Sequence, residues 1–125
     1  MRLLLDTHIL LWAMADDPML SPQARRTIEA AATVYVSSAS VWEISIKAGL
    51  GKLQLDLAEF TSRLAAAGFE PLAVSWGHAQ AVRDLPHHHH DPFDRMLIAQ
   101  AISEPLRLLT HDAALARYSD LVIVA

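Results

Sequence analysis

The sequence predicts an α/β fold, a three-layer α/β/α sandwich around a mainly parallel sheet. Short apolar runs with strand character alternate along the chain with longer segments of helical period. The runs are apolar on both faces, which is typical of parallel strands covered by helices on both sides. With 125 residues and no linker or repeat, we expect one domain spanning residues 1–125.

In the N-terminal half, RLLLD at 2–6 and TVYVS at 33–37 are predicted strands, because each is a short apolar run bounded by polar residues. Helices are predicted over 21–32, 38–49 and 56–68, where apolar residues recur at helical spacing after a Ser or Asp that can cap the first turn. The second and third of these helices end on glycine, the residue favoured just past a helix.

In the C-terminal half, the apolar runs at 70–74, 106–110 and 121–125 are predicted strands. Helices are predicted over 75–85, which opens with serine, and over 91–103, which opens with Asp-Pro. An aspartate followed by proline combines an N-cap with a residue suited to the first helical position.

Composition excludes several kinds of site. There is no cysteine, so disulfides, thiolate zinc sites and cysteine nucleophiles are ruled out. The net charge of −4 argues against a large basic footprint for nucleic acid, while the hydrophobic fraction of 53% favours a full core and an apolar surface for a partner. We find no signal-peptide pattern and no apolar stretch of about 18 residues, and therefore expect a cytoplasmic protein without a membrane segment.

Acidic residues are predicted at the carboxyl edge of the sheet, where ligands bind in open parallel sheets. Asp6 ends the first strand, Glu43 lies early in the helix after the second, and Asp112 lies two residues beyond the fourth. Asp94 opens the helix that leads into the fourth strand. Helix capping is an alternative role for Glu43, with Ser40 as a capping box, and for Asp112. Asp6 follows a buried strand and has no obvious capping role.

Carboxylates that converge repel one another, and a divalent cation relieves that repulsion. Oxygen ligands without cysteine suit Mg²⁺ or Mn²⁺, with water and substrate phosphate oxygens as further ligands. Hydrolysis of a phosphodiester is the reaction such a site supports best.

Four segments together resemble the PIN-domain ribonucleases of the VapC toxin type. They follow one another in the family's order and cover nearly the whole chain: LLLDTHILLW at 3–12, SSASVWEISIKAGLGKL at 37–53, DPFDRMLIAQA at 91–101 and LLTHDAAL at 108–115. The resemblance implies a PIN-like fold and a Mg²⁺-dependent endoribonuclease, with Mn²⁺ as the other candidate metal, acting as the toxin of a toxin–antitoxin pair.

The family's acidic quartet falls on Asp6, Glu43, Asp94 and Asp112, which the resemblance implies are both catalytic and metal-binding. It assigns the principal metal to Asp6 and Asp94, and the positioning of that metal or of the attacking water to Glu43. Asp112 supports a second metal or a water. The resemblance also implies a homodimer and a cognate antitoxin, with apolar candidates for the antitoxin groove at Leu10, Leu11, Trp12 and Ile28.

Five further residues are candidates for supporting roles. The hydroxyls of Thr7 and Thr110 fall at the edge of the site, where they can bond a carboxylate or the phosphate. Asp91 is interpreted as the N-cap that holds the start of the helix carrying Asp94. Arg95 either steers phosphate or pairs with Asp94, and His90 of the histidine run, with His89 as the alternative, is a candidate contact for RNA phosphate when protonated.

Two rival functions are weighed against the nuclease. A haloacid-dehalogenase-like phosphatase also begins with a strand that ends in aspartate, but His8 stands where its second acid belongs. The second rival is a PIN fold that has lost catalysis and serves as an RNA- or protein-interaction module. The presence of all four acids argues against it, and metal-dependent cleavage of RNA would distinguish the nuclease from it.

Overall fold

The computed structural model describes residues 1–125 and contains one five-stranded sheet in which every neighbouring pair is parallel. The strand order is β3-β2-β1-β4-β5. The strands are β1 (Arg2–Leu5), β2 (Thr33–Ser37), β3 (Glu70–Leu72), β4 (Arg107–Thr110) and β5 (Val122–Val124). The predicted parallel sheet and all five of its strands are thus confirmed.

Six α-helices and one short 3₁₀ helix connect the strands. They are α1 (Thr7–Met14), α2 (Pro22–Ala30), α3 (Ser38–Gly49), α4 (Leu57–Ala66), α5 (Trp76–Arg83), α6 (Pro92–Ser103) and a 3₁₀ helix at Ala113–Arg117. The five predicted helices are confirmed. Helix α1 is an addition, because THILLWAM lacks the polar face by which an amphipathic helix is recognised in a sequence.

The side chains of the central strand alternate between two separate cores. Leu3 and Leu5 belong to a cluster with residues of α1, α2, α3 and α4, whereas Leu4 packs with residues of α6 and the 3₁₀ helix. All three leucines are fully buried. Helices therefore cover both faces of the sheet, and the predicted three-layer sandwich is confirmed.

The topology places the end of β1 at the centre of the carboxyl edge. β1 lies between β2 and β4, and the backbone amide of Asp6 donates to the carbonyl of Leu109 (3.0 Å), which extends the pairing by one residue. Both edge strands are only three residues long, and β3 contains Pro71 opposite Val36. Residues just beyond β1, β2 and β4 consequently meet at one place.

The helices are short relative to a bilayer. The two longest, α3 and α6, have 12 residues each, and no helix combines the length and apolar character of a membrane span.

The two-core arrangement predicts where truncation of a side chain is costly. Leu108 is fully buried in the core that contains α6, so Leu108→Ala is expected to lower the free energy of unfolding by about 2–5 kcal/mol. Ile102→Ala is a matched control, because Ile102 is exposed on α6, and we expect a change within about 0.5 kcal/mol. Urea denaturation of both variants measures the difference, and equal losses would contradict the assignment of the core.

Candidate metal-dependent active site

Asp6 is a buried carboxylate with two structural bonds. Its Oδ1 accepts from the backbone amide of Ile9 (2.8 Å), which makes Asp6 the N-cap of α1, and its Oδ2 accepts from the hydroxyl of Thr110 (2.5 Å). The expectation that Asp6 has no capping role is therefore wrong, because a helix begins directly after β1. Burial raises the pKa of Asp6 above its ordinary value, although the bonds from Thr110 and Ile9 act in the opposite direction.

Asp91 and Asp94 have different environments at the start of α6. Asp91 is the N-cap and accepts from the backbone amides of Phe93 (2.8 Å) and Asp94 (3.1 Å), so its predicted capping role is confirmed. The Asp94 side chain accepts no hydrogen bond from α6 and lines a cavity of about 300 Å³. Burial, followed by the negative charges of Asp91 and Asp6, raises the pKa of Asp94 to about 7.

Glu43 lies in the second turn of α3 and is buried. The N-cap of this helix is Ser37, whose hydroxyl accepts from the amide of Ala39, so the alternative of a capping box between Ser40 and Glu43 is wrong. Glu43 pairs instead with Lys47 one turn later (3.0 Å). Its charge also contributes to the raised pKa of Asp94, which indicates that the two carboxylates are close.

Asp112 follows β4 and caps the 3₁₀ helix, since its Oδ1 accepts from the amide of Ala114 (3.0 Å). Its own amide donates to the hydroxyl oxygen of Thr110 (3.0 Å). Thr110 therefore bonds both Asp6 and Asp112, in agreement with a hydroxyl at the edge of the site. The second carboxylate oxygen of Asp112 lies 3.2 Å from Nε2 of His89.

The cavity is suited to a hard divalent cation. It is lined by Asp6, His8, Asp94, His111, Asp112 and Ala113, with no lysine or arginine among them. Burial raises the pKa of both Asp6 and Asp94, and the negative charges of Asp91 and Asp6 raise the pKa of Asp94 further, so a bound cation would offset the cost of keeping both groups ionised. Such a donor set fits Mg²⁺ or Mn²⁺, which prefer oxygen ligands.

Two other candidate residues, Thr7 and Arg95, bond groups outside the acidic cavity. Thr7 donates to Ser40 (3.1 Å) and so joins α1 to α3 rather than bonding an acid. Arg95 is buried and donates to the carbonyls of Pro86, Val82 and Leu85 and to the hydroxyl of Tyr118. The prediction that Arg95 steers phosphate or pairs with Asp94 is wrong, because both of its terminal nitrogens bond these acceptors and Arg95 does not line the cavity.

Within the histidine run, the structure brings His89 to the acids and leaves His90 away from them. His90 is exposed and does not line the cavity, whereas His89 approaches both Asp94 and Asp112. His8, which the sequence places either near the site or in a helix interface, lines the cavity, and so does His111, which the sequence reasoning missed. The position of His111 directly after Thr110, which matches that of His8 after Thr7 at the end of the adjacent strand, is the signal that could have found it.

The sequence matches the PIN domain family over residues 3–121. With this match and the acidic centre at the carboxyl edge, the chain belongs to the PIN-domain family. It is similar to ribonuclease VapC22 of Mycobacterium tuberculosis, with 30% identity over 118 residues that cover 90% of this chain and 88% of the relative.

Solved structures share the fold at lower identity. The VapBC2 complex from Rickettsia felis, bound to a DNA fragment from its promoter, has a TM-score of 0.70 and 19% identity, covering 100% of this chain and 98% of that chain. A toxin–antitoxin complex from Klebsiella pneumoniae has a TM-score of 0.68 and 20% identity, covering 97% of this chain and 95% of that chain. FitAcB from Neisseria gonorrhoeae has a TM-score of 0.67 and 17% identity, covering 98% of this chain and 96% of that chain.

The raised pKa of Asp94 predicts a pH-dependent stability of the metal-free protein. Its pKa is about 7 in the folded chain against an ordinary value of 3.8, so the group favours folding below pH 4 and loses that contribution as the pH rises towards 7. Asp94→Asn is expected to stabilise the metal-free protein at pH 8 by roughly 2 kcal/mol, less than full linkage because the side chain is partly solvated, and to change little at pH 4.

Urea denaturation in EDTA at the two pH values measures this effect. Asp56→Asn is the matched control, because Asp56 is an exposed N-cap on α4 and asparagine caps equally well. A gain of the same size at pH 4 and pH 8, or in both variants, would contradict the assignment to the Asp94 charge.

Proposed function

We propose that residues 1–125 act as one PIN domain, a Mg²⁺- or Mn²⁺-dependent endoribonuclease that is the toxin of a toxin–antitoxin pair. The observation that carries this proposal is the convergence of Asp6, Asp94 and Asp112 on one cavity, with Glu43 near enough to affect the pKa of Asp94. The relative named ribonuclease VapC22 supports RNA as the substrate.

Asp6 and Asp94 are the principal metal ligands in this proposal. Asp6 is held by its bonds to Ile9 and Thr110, and each of its oxygens retains a lone pair for a cation. Asp94 accepts no hydrogen bond from its own helix, and its one neighbouring donor is Nε2 of His89 at 3.8 Å, which leaves its oxygens available to a cation. When bound, a divalent cation offsets these charges, activates water and stabilises the charge that develops on the phosphate.

Glu43 and Asp112 flank these two ligands. The ammonium group of Lys47 fixes one oxygen of Glu43, which leaves the other to orient the attacking water. Asp112 is held in place by the amide of Ala114 and by its own bond to Thr110, and in this proposal it supports a second metal or a water. Rigid carboxylates of this kind orient reactants without reorganising during the reaction.

The proposed antitoxin site is a groove beside the acidic cavity. Its volume is about 480 Å³ and its lining includes Leu11, Trp12 and Phe60 together with His8, which also lines the cavity. An apolar helix seated there would bring its flanking residues to the acids. The expectation for Leu10 is wrong, because it is fully buried in the core, and Ile28 lines a different groove.

A second apolar surface supports the proposed homodimer. Trp42 is 63% exposed and its ring packs edge-on against Phe93 (5.2 Å between centroids), beside Met96 and Val74 in a groove of about 460 Å³. Exposed tryptophan beside an apolar groove is typical of an interface. Because Trp42 precedes Glu43, a dimer formed there would place two active sites near a shared boundary.

The dimer surface can be tested by one charged substitution. Trp42→Asp is expected to convert a dimer into a monomer, because it places a charge in the centre of an apolar contact. Light scattering after size-exclusion chromatography measures the mass. Trp76→Asp is the matched control, since Trp76 is 90% exposed and does not line this groove; loss of the dimer in this variant instead would locate the interface elsewhere.

The nuclease is tested by cleavage of total RNA with the purified protein in Mg²⁺ or Mn²⁺. Removal of the metal with EDTA is expected to abolish cleavage, and Asp94→Asn to reduce it more than about 100-fold, because a principal ligand is lost. Asp91→Asn is the control, since asparagine preserves the cap of α6, and it should keep most of the activity.

The variants also separate the nuclease from the inactive interaction module. Folding of Asp94→Asn is verified by circular dichroism before the comparison. Cleavage that persists in EDTA would contradict the metal dependence, and equal losses of activity in the Asp91 and Asp94 variants would contradict the roles assigned to these two residues. An inactive wild type that still binds RNA would favour the interaction module.

A further inference from the structure

His89 is the one histidine of the run that reaches two acids of the centre. Its Nε2 lies 3.2 Å from Oδ2 of Asp112 and 3.8 Å from Oδ2 of Asp94. The ligand atoms of these three residues all lie within 4.8 Å of one another. The imidazole therefore stands on the side of the centre where Asp94 and Asp112 face each other.

The other ring nitrogen fixes the tautomer of His89. The backbone amide of Asp91 donates to Nδ1 (3.1 Å), so Nδ1 must present its lone pair. In the neutral ring the proton then resides on Nε2. The edge of the imidazole that faces the two carboxylates is consequently an N–H group and not a free nitrogen.

Both ends of the segment that carries His89 are anchored. Before it, the guanidinium of Arg95 donates to the carbonyl of Pro86 (2.9 Å) and to the hydroxyl of Tyr118, and the ring of His88 packs edge-on against Tyr118 (5.1 Å). After it, Asp91 caps α6. The fold therefore holds the imidazole of His89 in position, and the buried Arg95 contributes to this through its bonds to Pro86 and Tyr118.

We propose that the N–H of His89 takes the place of a second divalent cation, so that the centre binds one ion, held by Asp6 and Asp94. A second ion would need the carboxylate oxygens of Asp94 and Asp112, which are the oxygens that Nε2 of His89 and its proton already face. Two-ion hydrolytic sites require such a second position about 3.5–4 Å from the first. This inference rests on the proposed function and restricts Asp112 to positioning water or phosphate.

The competing possibility is that His89 is itself a nitrogen ligand. Coordination through Nε2 requires the proton to move to Nδ1, which would then confront the amide proton of Asp91. That bond would have to break. The geometry therefore favours the donor over the ligand, and the two roles predict opposite effects when the imidazole is removed.

The test is the number of Mn²⁺ ions bound, measured from the free Mn²⁺ signal in electron paramagnetic resonance. We expect one ion in the wild type, two in His89→Ala, where Asp112 becomes available, and one again in the double variant His89→Ala with Asp112→Asn. His90→Ala is the matched control for metal binding by the histidine run, and it should bind one ion.

Several results would overturn the inference. A single ion in His89→Ala would do so, as would two ions in the wild type with one lost in His89→Ala, which would make His89 a ligand. Nitrogen-15 NMR of the wild type gives an independent measurement that does not depend on a variant, because the proton must remain on Nε2 in the Mn²⁺-free and in the Mg²⁺-bound protein.

Failure of the proposed function has a different result. If the wild type binds no ion, or if Asp94→Asn binds as many ions as the wild type, the metal-dependent nuclease itself is removed. If ions bind as expected to the wild type but their number does not respond to His89, only the role of His89 is removed.

Discussion

The hydroxyl of Thr110 joins the two central strands of the sheet at the point where the acids gather. It donates to Asp6 at the end of β1 and accepts from the amide of Asp112 beyond β4. The parallel pairing of β1 with β4 makes this contact possible across 104 residues of sequence. The start of α1, the orientation of Asp6 and the position of Asp112 all depend on it, so one buried hydroxyl links the fold to the site.

The acidic centre lowers the free energy of unfolding of an otherwise well-packed protein. Burying a carboxylate without a cationic partner is unfavourable, and hydrogen bonds to Asp6 offset only part of that penalty. The rigid sheet and the helix caps hold the acids together despite their repulsion. This is the expected arrangement for a site that is completed by a cation, since a centre neutralised by lysine or arginine would have no need of one.

The sequence was sufficient to predict the sheet and the edge at which the acids meet, because apolar runs and chain order determine both. It was insufficient for α1, whose residues are buried or half-buried around most of the helix, and for the cap of α3, where three serines lie within four positions of one another. The sequence also could not predict which groups the Arg95 side chain contacts. The sequence suggests that a basic residue beside an acid pairs with it, whereas the guanidinium of Arg95 donates to backbone carbonyls of residues 82–86 and to the hydroxyl of Tyr118. His89 and His90 are equivalent in sequence, since a loop has no period that fixes side-chain direction.

The borders of the sheet offer little backbone to a second chain, although the composition is rich in apolar residues. An edge strand with free amides can recruit another chain and begin a continuous sheet, but β3 and β5 are three residues long and β3 carries a proline, which has no amide to offer. Backbone recruitment is therefore disfavoured at both borders. The proposed pairing through Trp42 uses side-chain contacts instead, and a two-fold contact of that kind closes on itself in a pair, whereas strand pairing can propagate into a fibre.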